Sequence, residues 1–398
     1  MAAPQIGNLQ RQTNLLAIAM QTPGTNVLLV GSPGEAKTDI ISQVARSLGY
    51  VTPEGVLCLE AIYCSTRDPI DFGGVMMPDG RGGMVLAPMP WITRLISWNR
   101  GVVFFDELNS GTPAVQAAIQ TGVLTRRFGD SLLPEDTVFV AAMNETEQAT
   151  GGWDLSDPLA NRWEWLQWTG PDDDEWAQYE LLGESVSLTV PRVDRGSWLA
   201  ALPLAKARAA AYRRHRPGTL REKRSDYQDR FPKAYATPRS WSQATKLLAS
   251  CYAVGDDSCI LPLVRGAIGE GMAVEFATWL RNSDLPDPEV LLNNPSVWKP
   301  DARRMDQVYA VLLSVSAAAT KDVQNQKEFE TRWLAAWEVL SRARTVGGKD
   351  ILAMAVRILG KKRPPSKAFN KQVTKLVNEI IELSGLAGIV GEVDPNSI

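Results

Sequence analysis

The stretch that decides the fold of this chain is Val27-Leu28-Leu29-Val30-Gly31-Ser32-Pro33-Gly34-Glu35-Ala36-Lys37-Thr38. An apolar run, a loop of glycine and proline, a Lys-Thr pair and a helix-like stretch follow one another here. This order is typical of a phosphate-binding loop, in which backbone N–H groups and the N-terminus of the next helix surround a polyphosphate. Ala36 departs from the usual pattern, which has glycine at that position.

The two residues that close this loop have different expected roles. In such loops the lysine contacts the β- and γ-phosphate oxygens as a point charge, and the hydroxyl of the next residue ligates Mg²⁺. We therefore expect the whole stretch to bind a nucleotide, with Lys37 on the phosphates and Thr38 on the metal. The loop residues in contact with the nucleotide would be Gly31, Ser32, Pro33, Gly34, Glu35 and Ala36.

Two further apolar runs end in polar residues. The run at 101–105 is followed by Asp106 and Glu107, and the run at 137–143 is followed by Asn144. Ligands of open α/β sheets bind at the carboxyl ends of the strands, where these side chains would lie. We expect Asp106 to hold Mg²⁺ and Glu107 to orient and polarise the attacking water. Asn144 would fix that water or the γ-phosphate, or would simply initiate a turn.

Length and composition set limits on other functions. The chain has 398 residues, 44% hydrophobic and 22% charged residues, and a net charge of −3, which is ordinary for a globular protein of two or three domains. Neither a bilayer-spanning apolar stretch nor a secretory signal is evident, which predicts a cytoplasmic protein. A single histidine, His215, and the spacing of Cys58, Cys64, Cys251 and Cys259 argue against a zinc site and against histidine-dependent nucleophilic catalysis.

The pattern of apolar runs divides the chain. Up to about residue 170, strand-like and helix-like stretches alternate, which predicts an α/β unit with a parallel sheet. The predicted strands are 27–30, 56–63, 101–105, 137–143 and 164–168. After the break at 170–175 all patterns are helical. We therefore predict three domains: residues 1–170, with a hairpin insert at about 65–90, then a helical domain at 171–284 and an all-helical extension at 285–398.

Taken together, these motifs resemble the AAA+ ATPases, and within them the MoxR group. Four segments carry the resemblance, which extends over residues 7–250: Ala36-Lys37-Thr38, Asp106-Glu107-Leu108-Asn109-Ser110-Gly111-Thr112-Pro113-Ala114-Val115-Gln116, Leu155-Ser156-Asp157-Pro158-Leu159-Ala160-Asn161-Arg162-Trp163 and Thr237-Pro238-Arg239. The resemblance implies an αβα sandwich with strand order 5-1-4-3-2 and a helical lid. Trp163 departs from the phenylalanine that is usual there.

The resemblance also implies roles for two arginines. Arg162 matches the arginine finger, which would act on the ATP of a neighbouring subunit, and Arg126 and Arg127 are the alternatives for that role. Arg239 matches the lid arginine that contacts the phosphates. A ring, expected to be a hexamer, would remodel or mature a partner complex in a chaperone-like way, commonly with a von Willebrand factor A domain protein.

Other functions and partners stay open at the level of sequence. The basic run at 206–224 would suit a nucleic-acid-stimulated motor or a defence-system ATPase, although a solvated helix face is the simpler interpretation. A low-turnover nucleotide-binding structural ring is the third hypothesis. Within the expected hairpin, Met76, Met77 and Met84 would contact a substrate or partner, because methionine adapts to varied surfaces, or would pack on the core of the hairpin itself.

Overall fold

The computed structural model describes residues 7–145, 152–182, 189–222, 234–321, 325–346, 349–364 and 371–384. The chain divides into two units. Unit 1 comprises Met1–Asp194 and Arg221–Val274, and unit 2 comprises Arg195–Leu220 and Glu275–Ile398.

The strands of the described residues lie in unit 1, in a five-stranded sheet and two hairpins. They are β1 (Val27–Val30), β2 (Leu59–Tyr63), β3 (Val75–Pro78), β4 (Met84–Ala87), β5 (Gly101–Asp106), β6 (Arg127–Phe128), β7 (Ser131–Leu132), β8 (Thr137–Met143) and β9 (Glu164–Gln167). The order in the large sheet is β2-β5-β8-β1-β9, and all its pairs are parallel. If only these five strands are numbered in chain order, the sheet order is the predicted 5-1-4-3-2. The numbers used here differ because β3, β4, β6 and β7 form the two hairpins.

Helices cover the sheet of unit 1 and build unit 2. In chain order they are α1 (Asn8–Gln21), α2 (Lys37–Ser47), α3 (Ile70–Gly73), α4 (Pro90–Trp98), α5 (Pro113–Thr125), α6 (Asp157–Ala160), α7 (Asp173–Leu182), α8 (Arg195–His215), α9 (Pro238–Val254), α10 (Ile260–Ile268), α11 (Glu270–Asn282), α12 (Pro288–Asn293), α13 (Met305–Ala319), α14 (Gln326–Ala343), α15 (Lys349–Lys361) and α16 (Lys371–Leu383). None of the helices in the described ranges is long and apolar enough to cross a membrane.

The sheet forms because its central strands are almost wholly apolar. All four residues of β1 are buried, and the same holds for the first five residues of β5. Strands buried on both faces are a property of parallel sheets covered by helices. Parallel pairing brings the carboxyl ends of β1, β5 and β8 to one edge, and this places the loop after β1 beside Asp106 and Asn144.

Each unit has its own apolar core. The core of unit 1 contains a cluster of aromatic rings, in which Phe105 stacks on Phe139 and Trp91 meets Phe128 edge to face. The core of unit 2 is formed by α8 and the helices from α12 onwards, with Trp333 and Trp337 at its centre.

Some sequence-based boundaries differ from the structure. The second sheet strand begins at Leu59 instead of residue 56, because Leu57 forms an isolated antiparallel bridge with Val51. The break expected at 170–175 contains the start of α7, whose first turn carries three acidic residues that suit a helix N-terminus. The predicted lid segment is shared between the units, because α8 packs along α13. The three-domain division itself stays a prediction.

Candidate functional site

A cleft lies at the carboxyl edge of the sheet, and three separate segments line it. Its volume is about 320 Å³. The lining residues are Pro33, Gly34, Glu35, Ala36, Lys37, Thr38, Asp39, Asp106, Glu107 and Asn144. Most of the residues predicted for phosphate and metal binding are therefore brought together at one place.

Lys37 begins α2 and is nearly buried, with 9% of its surface exposed. Its ammonium donates to the carbonyl oxygens of Gly31 at 2.9 Å and Ser32 at 2.7 Å, and to Oδ1 of Asn144 at 3.3 Å. Burial lowers the pKa of Lys37, while the charges of Asp106 and Glu35 act in the opposite direction. A buried cation whose contacts are uncharged oxygens is electrostatically suited to an anionic ligand.

Thr38 and Asp106 meet on the other side of the loop. The Thr38 hydroxyl donates to Oδ2 of Asp106 at 3.3 Å, and the backbone N–H of Glu107 donates to Oδ1 at 2.9 Å. Burial raises the pKa of Asp106. The two hydrogen bonds and the charge of Lys37 act in the opposite direction and partly offset this increase. A divalent cation would offset that cost of burial.

These two oxygen donors fit magnesium better than zinc. Mg²⁺ takes hard oxygen ligands, keeps several waters and commonly binds through one or two protein groups plus phosphates. In the described part of the chain, no group of three or more His, Cys, Asp or Glu is placed to hold a metal ion. The hydroxyl of Thr38 and the carboxylate of Asp106 therefore suit an Mg²⁺ ion that is bound together with phosphate.

Glu107 follows the last residue of β5 and is exposed in the cleft. Its backbone is left-handed, with φ of 51°, which is uncommon for a residue with a side chain. This turn moves the chain out of the strand direction at the point where the carboxylate enters the cleft. The arrangement leaves Glu107 accessible to water while Asp106 beside it is half-buried.

Asn144 is supported by a residue to which sequence reasoning assigned no role. Asn109 is 3% exposed, and its Nδ2 donates to the carbonyl oxygen of Asn144 at 3.3 Å. The carbonyl of Asn109 accepts from the N–H of Trp153 at 2.7 Å. Asn109 stands in the segment that carries the family resemblance, and this was the signal that could have found it.

The loop backbone is held in two left-handed turns. Gly34 has φ of 85°, a conformation that glycine adopts readily because it has no Cβ. Ala36 has φ of 51° and ψ of 27°, a conformation that costs a residue with a Cβ roughly 1–2 kcal/mol. The departure from glycine seen in the sequence therefore leaves the loop geometry in place but under strain.

The structure places Arg162 and Arg239 near each other and outside the lining of this cleft. Burial and the charge of Arg239 both lower the pKa of Arg162, whose guanidinium also donates to the carbonyl oxygen of Pro158. Arg239 is exposed in the first turn of α9, and Thr237 caps that helix. The Thr237 hydroxyl donates to Oδ1 of Asn161 at 2.9 Å, so the two arginine-bearing segments are linked.

The alternative finger residues have different surroundings. The guanidinium of Arg126 donates to the carbonyl oxygens of three residues, Pro134, Glu135 and Thr137, and lies over the ring of Phe139. Burial lowers its pKa. These contacts give Arg126 a structural role. Arg127 is exposed and donates to the carbonyl oxygen of Asp130.

The basic run at 206–224 contributes to the packing of unit 2 through residues 214–216. Residues 223 and 224 lie outside the described ranges. Arg214 lies over the ring of Tyr309, 4.9 Å from its centre. His215 lies 3.8 Å from Asp306, and Arg216 pairs with Glu275 at 3.2 Å. Much of the positive charge at 213–216 therefore has acidic or aromatic partners within unit 2.

The predicted hairpin is confirmed. Strands β3 and β4 pair antiparallel, and the side chain of Asp79 accepts from the N–H groups of Arg81 and Gly83 in the connecting loop. Met76, Met77 and Met84 are 58%, 52% and 57% exposed, so these side chains lie on the surface of unit 1.

No family model matches the chain, and no curated protein matches it either. Several solved structures are distantly similar to the chain. A candidate ATPase from Cytophaga hutchinsonii is 16% identical with a TM-score of 0.42, over 67% of this chain and 82% of that one. An MCM homolog from Methanopyrus kandleri is 16% identical with a TM-score of 0.36, over 68% and 54%. A point mutant of RuvB from Thermotoga maritima is 14% identical with a TM-score of 0.28, over 83% and 88%. These likenesses are too distant to assign a function.

Proposed function

We propose that this chain is an AAA+ ATPase that hydrolyses ATP in the presence of Mg²⁺. The observation that carries the proposal is the cleft itself. Lys37 and Thr38 come from the loop after β1, Asp106 and Glu107 from the end of β5, and Asn144 from the end of β8. A cation, a hydroxyl, two carboxylates and an amide are the groups that phosphoryl transfer to water requires at one place.

Each group has a separate task in this proposal. The loop amides and Lys37 bind the phosphates, while Thr38 and Asp106 hold Mg²⁺, which would neutralise phosphate charge. Glu107 orients a water molecule and accepts its proton, because its carboxylate is exposed in the cleft. Asn144, held by Asn109 and bonded to Lys37, contacts the γ-phosphate or that water.

We further propose a MoxR-like ring, hexameric by analogy, in which Arg162 completes the site of a neighbouring subunit. The position of Arg162 outside the cleft of its own chain supports action in trans. Arg239, at the start of α9, would couple phosphate contact to movement of that helix. The output would be chaperone-like remodelling of a partner complex, with a von Willebrand factor A domain protein as the expected partner.

An equimolar mixture of Lys37→Ala and Arg162→Ala subunits tests this proposal. One subunit would supply an intact finger and its neighbour an intact loop, so the mixture should hydrolyse ATP faster than either variant alone. Specific activity of the wild type should also rise with protein concentration. Activity that is independent of concentration, with no gain on mixing, would contradict shared sites.

The two rival functions predict other results. A nucleic-acid motor would be stimulated by DNA or RNA, but much of the charge at 213–216 already has partners within unit 2. A structural ring would bind nucleotide and hydrolyse little of it. Turnover by the wild type that is lost in Glu107→Gln would exclude the structural ring.

A further inference from the structure

Trp168 lies immediately after β9 and contacts the last residue of β1 and two residues of the phosphate-binding loop. Its indole Nε1 donates to the carbonyl oxygen of Glu35 at 2.7 Å, and its backbone N–H donates to the carbonyl oxygen of Val30 at 2.7 Å. Its own carbonyl oxygen is so close to Gly31 that a Cβ there would lie 2.0 Å away. The side chain is 1% exposed.

Trp168 is itself held by the first helix. The next residue, Thr169, donates its backbone N–H to Oε1 of Gln12 at 2.8 Å and accepts from Nδ2 of Asn8 at 3.1 Å. Asn8 also donates to the carbonyl oxygen of Gly170 at 3.1 Å. The indole is therefore a fixed donor next to the loop, since the residues that follow it are bonded to α1.

The contact with Glu35 controls the orientation of one particular peptide group. The carbonyl of Glu35 and the N–H of Ala36 belong to the same trans peptide and point in opposite directions. A donor that fixes this carbonyl therefore directs the N–H of Ala36 away from Trp168. Ala36 lines the cleft, and N–H groups of such loops bind phosphate oxygens.

Ala36 is the residue that needs such a contact. It takes a left-handed conformation that glycine adopts readily and alanine does not, so the loop would relax towards other backbone angles without support. The indole bond to the preceding carbonyl opposes that relaxation. A loop with glycine at this position would depend on the contact much less.

We propose that Trp168 is a positioning residue that keeps the Ala36 N–H directed into the cleft and thereby sets the affinity for the phosphates of a nucleotide. This inference rests on the proposed function for the identity of the ligand. Its structural part, the coupling between Trp168 and Ala36, is independent of any ligand.

The test is a double-mutant cycle of Trp168→Phe and Ala36→Gly. Phenylalanine keeps an aromatic ring but removes the N–H donor, so Kd for Mg–ADP, measured by titration calorimetry, should rise about fivefold, the effect of losing one hydrogen bond. In the Ala36→Gly background the same change should raise Kd less than twofold. The matched control is Trp163→Phe, because Trp163 is also buried and its indole N–H has no hydrogen-bond partner among the described residues. The control should leave Kd unchanged.

Urea unfolding of the four proteins of the cycle without nucleotide separates this inference from the proposed function. Trp168→Phe should destabilise the protein with alanine at position 36 more than the Ala36→Gly variant. One outcome is that the two substitutions have non-additive effects on the free energy of unfolding, although the wild type does not bind Mg–ADP. That result would contradict the proposed function but support the contact of Trp168 with the loop at Ala36. Two results would overturn the inference if the wild type binds Mg–ADP. One is an increase in Kd of less than twofold in Trp168→Phe, and the other is an equal increase with alanine and with glycine at position 36.

Discussion

At the residue scale, the candidate site combines buried or half-buried charges with the exposed carboxylates of Asp39 and Glu107. Burial lowers the pKa of Lys37 and raises that of Asp106, so each group would gain from a ligand of opposite charge. Glu107 is exposed one residue away. This difference in burial between neighbouring carboxylates suits the separate roles proposed for them, metal binding by Asp106 and orientation of a water molecule by Glu107.

The first prediction concerns Glu107. Replacing it with glutamine removes the proton acceptor and keeps the shape, so kcat should fall by about 10²–10⁴ while the affinity for Mg–ADP stays within twofold. The exposed Glu54, replaced in the same way, is the control and should leave both quantities unchanged. ATPase rates and calorimetric titrations measure the two effects. Full turnover in Glu107→Gln would show that another group activates the water.

Arg126 and Arg127 give a second prediction. Because the Arg126 guanidinium bonds three backbone carbonyls, Arg126→Ala should lower the free energy of unfolding by about 2 kcal/mol. Arg127→Ala, at an exposed position, should change it by less than about 0.5 kcal/mol. Urea titration compares the two. Equal stabilities would mean that the bonds of Arg126 contribute little.

At the element scale, strand β9 and helix α10 are in unusually close contact. Gly266 of α10 lies against β9, and a Cβ there would come within 2.3 Å of both Oε1 of Glu164 and the carbonyl oxygen of Trp165. Glu164 is fully buried and accepts a hydrogen bond from Gln243 of α9 at 3.2 Å. Edge strand β9 is thus fixed to both helices, by close packing against α10 and by a polar contact with α9.

Gly266→Ala is the third prediction. The added methyl group would overlap a backbone oxygen, so the free energy of unfolding should fall by about 1–3 kcal/mol. Gly271→Ala is the matched control, since among the described residues a Cβ built there would meet no atom within 4 Å beyond its chain neighbours and the nearby backbone of its own helix. In the control, alanine in the first turn of α11 should change the free energy of unfolding by less than about 0.5 kcal/mol. Equal effects at both positions would contradict the close approach of α10 to β9.

Glu164 gives a fourth prediction, on pH. Burial raises its pKa well above 4.5, so the folded state favours the neutral acid. The stability that it contributes is complete below pH 4.5 and is lost as the pH rises towards the folded-state pKa. Cys251 nearby, whose pKa burial also raises, stays neutral in this range.

Glu164→Gln should abolish that loss. Between pH 4.5 and 8, the stability of the variant relative to the wild type should rise with pH, because glutamine has no proton to lose. Urea titrations across this range measure the difference. A constant difference would show that Glu164 is charged in the fold.

The sequence was informative for the elements whose pattern is local. Strands β1, β5 and β8 are continuous apolar runs and were predicted within one residue of their bounds. Helices α7, α10 and α12 were not predicted, because acidic residues, glycine or proline interrupt their patterns. The motifs predict the residues that line the cleft with the exception of Asp39. Trp168 was not assigned a role, because its bond to Glu35 joins residues 133 positions apart and has no local signature.

At the scale of the whole molecule, unit 1 and unit 2 each contain a cluster of buried apolar residues. Trp333, at the centre of unit 2, is fully buried and donates to the carbonyl oxygen of Leu359 at 3.1 Å. Trp333→Ala should therefore cost unit 2 about 3–5 kcal/mol. Hydrogen exchange should increase in α13, α14 and α15. An equal increase throughout β1, β5 and β8 would show that both cores unfold as one cooperative unit.

The chain contains 13 tryptophans, which would ordinarily hide the emission of any one of them. Trp168 differs in being bonded directly to a carbonyl of the phosphate-binding loop. Indole emission responds to the polarity and hydrogen bonding around the ring. Subtracting the fluorescence spectrum of Trp168→Phe from that of the wild type therefore isolates a label-free optical signal of the loop, built into the sequence one residue beyond β9.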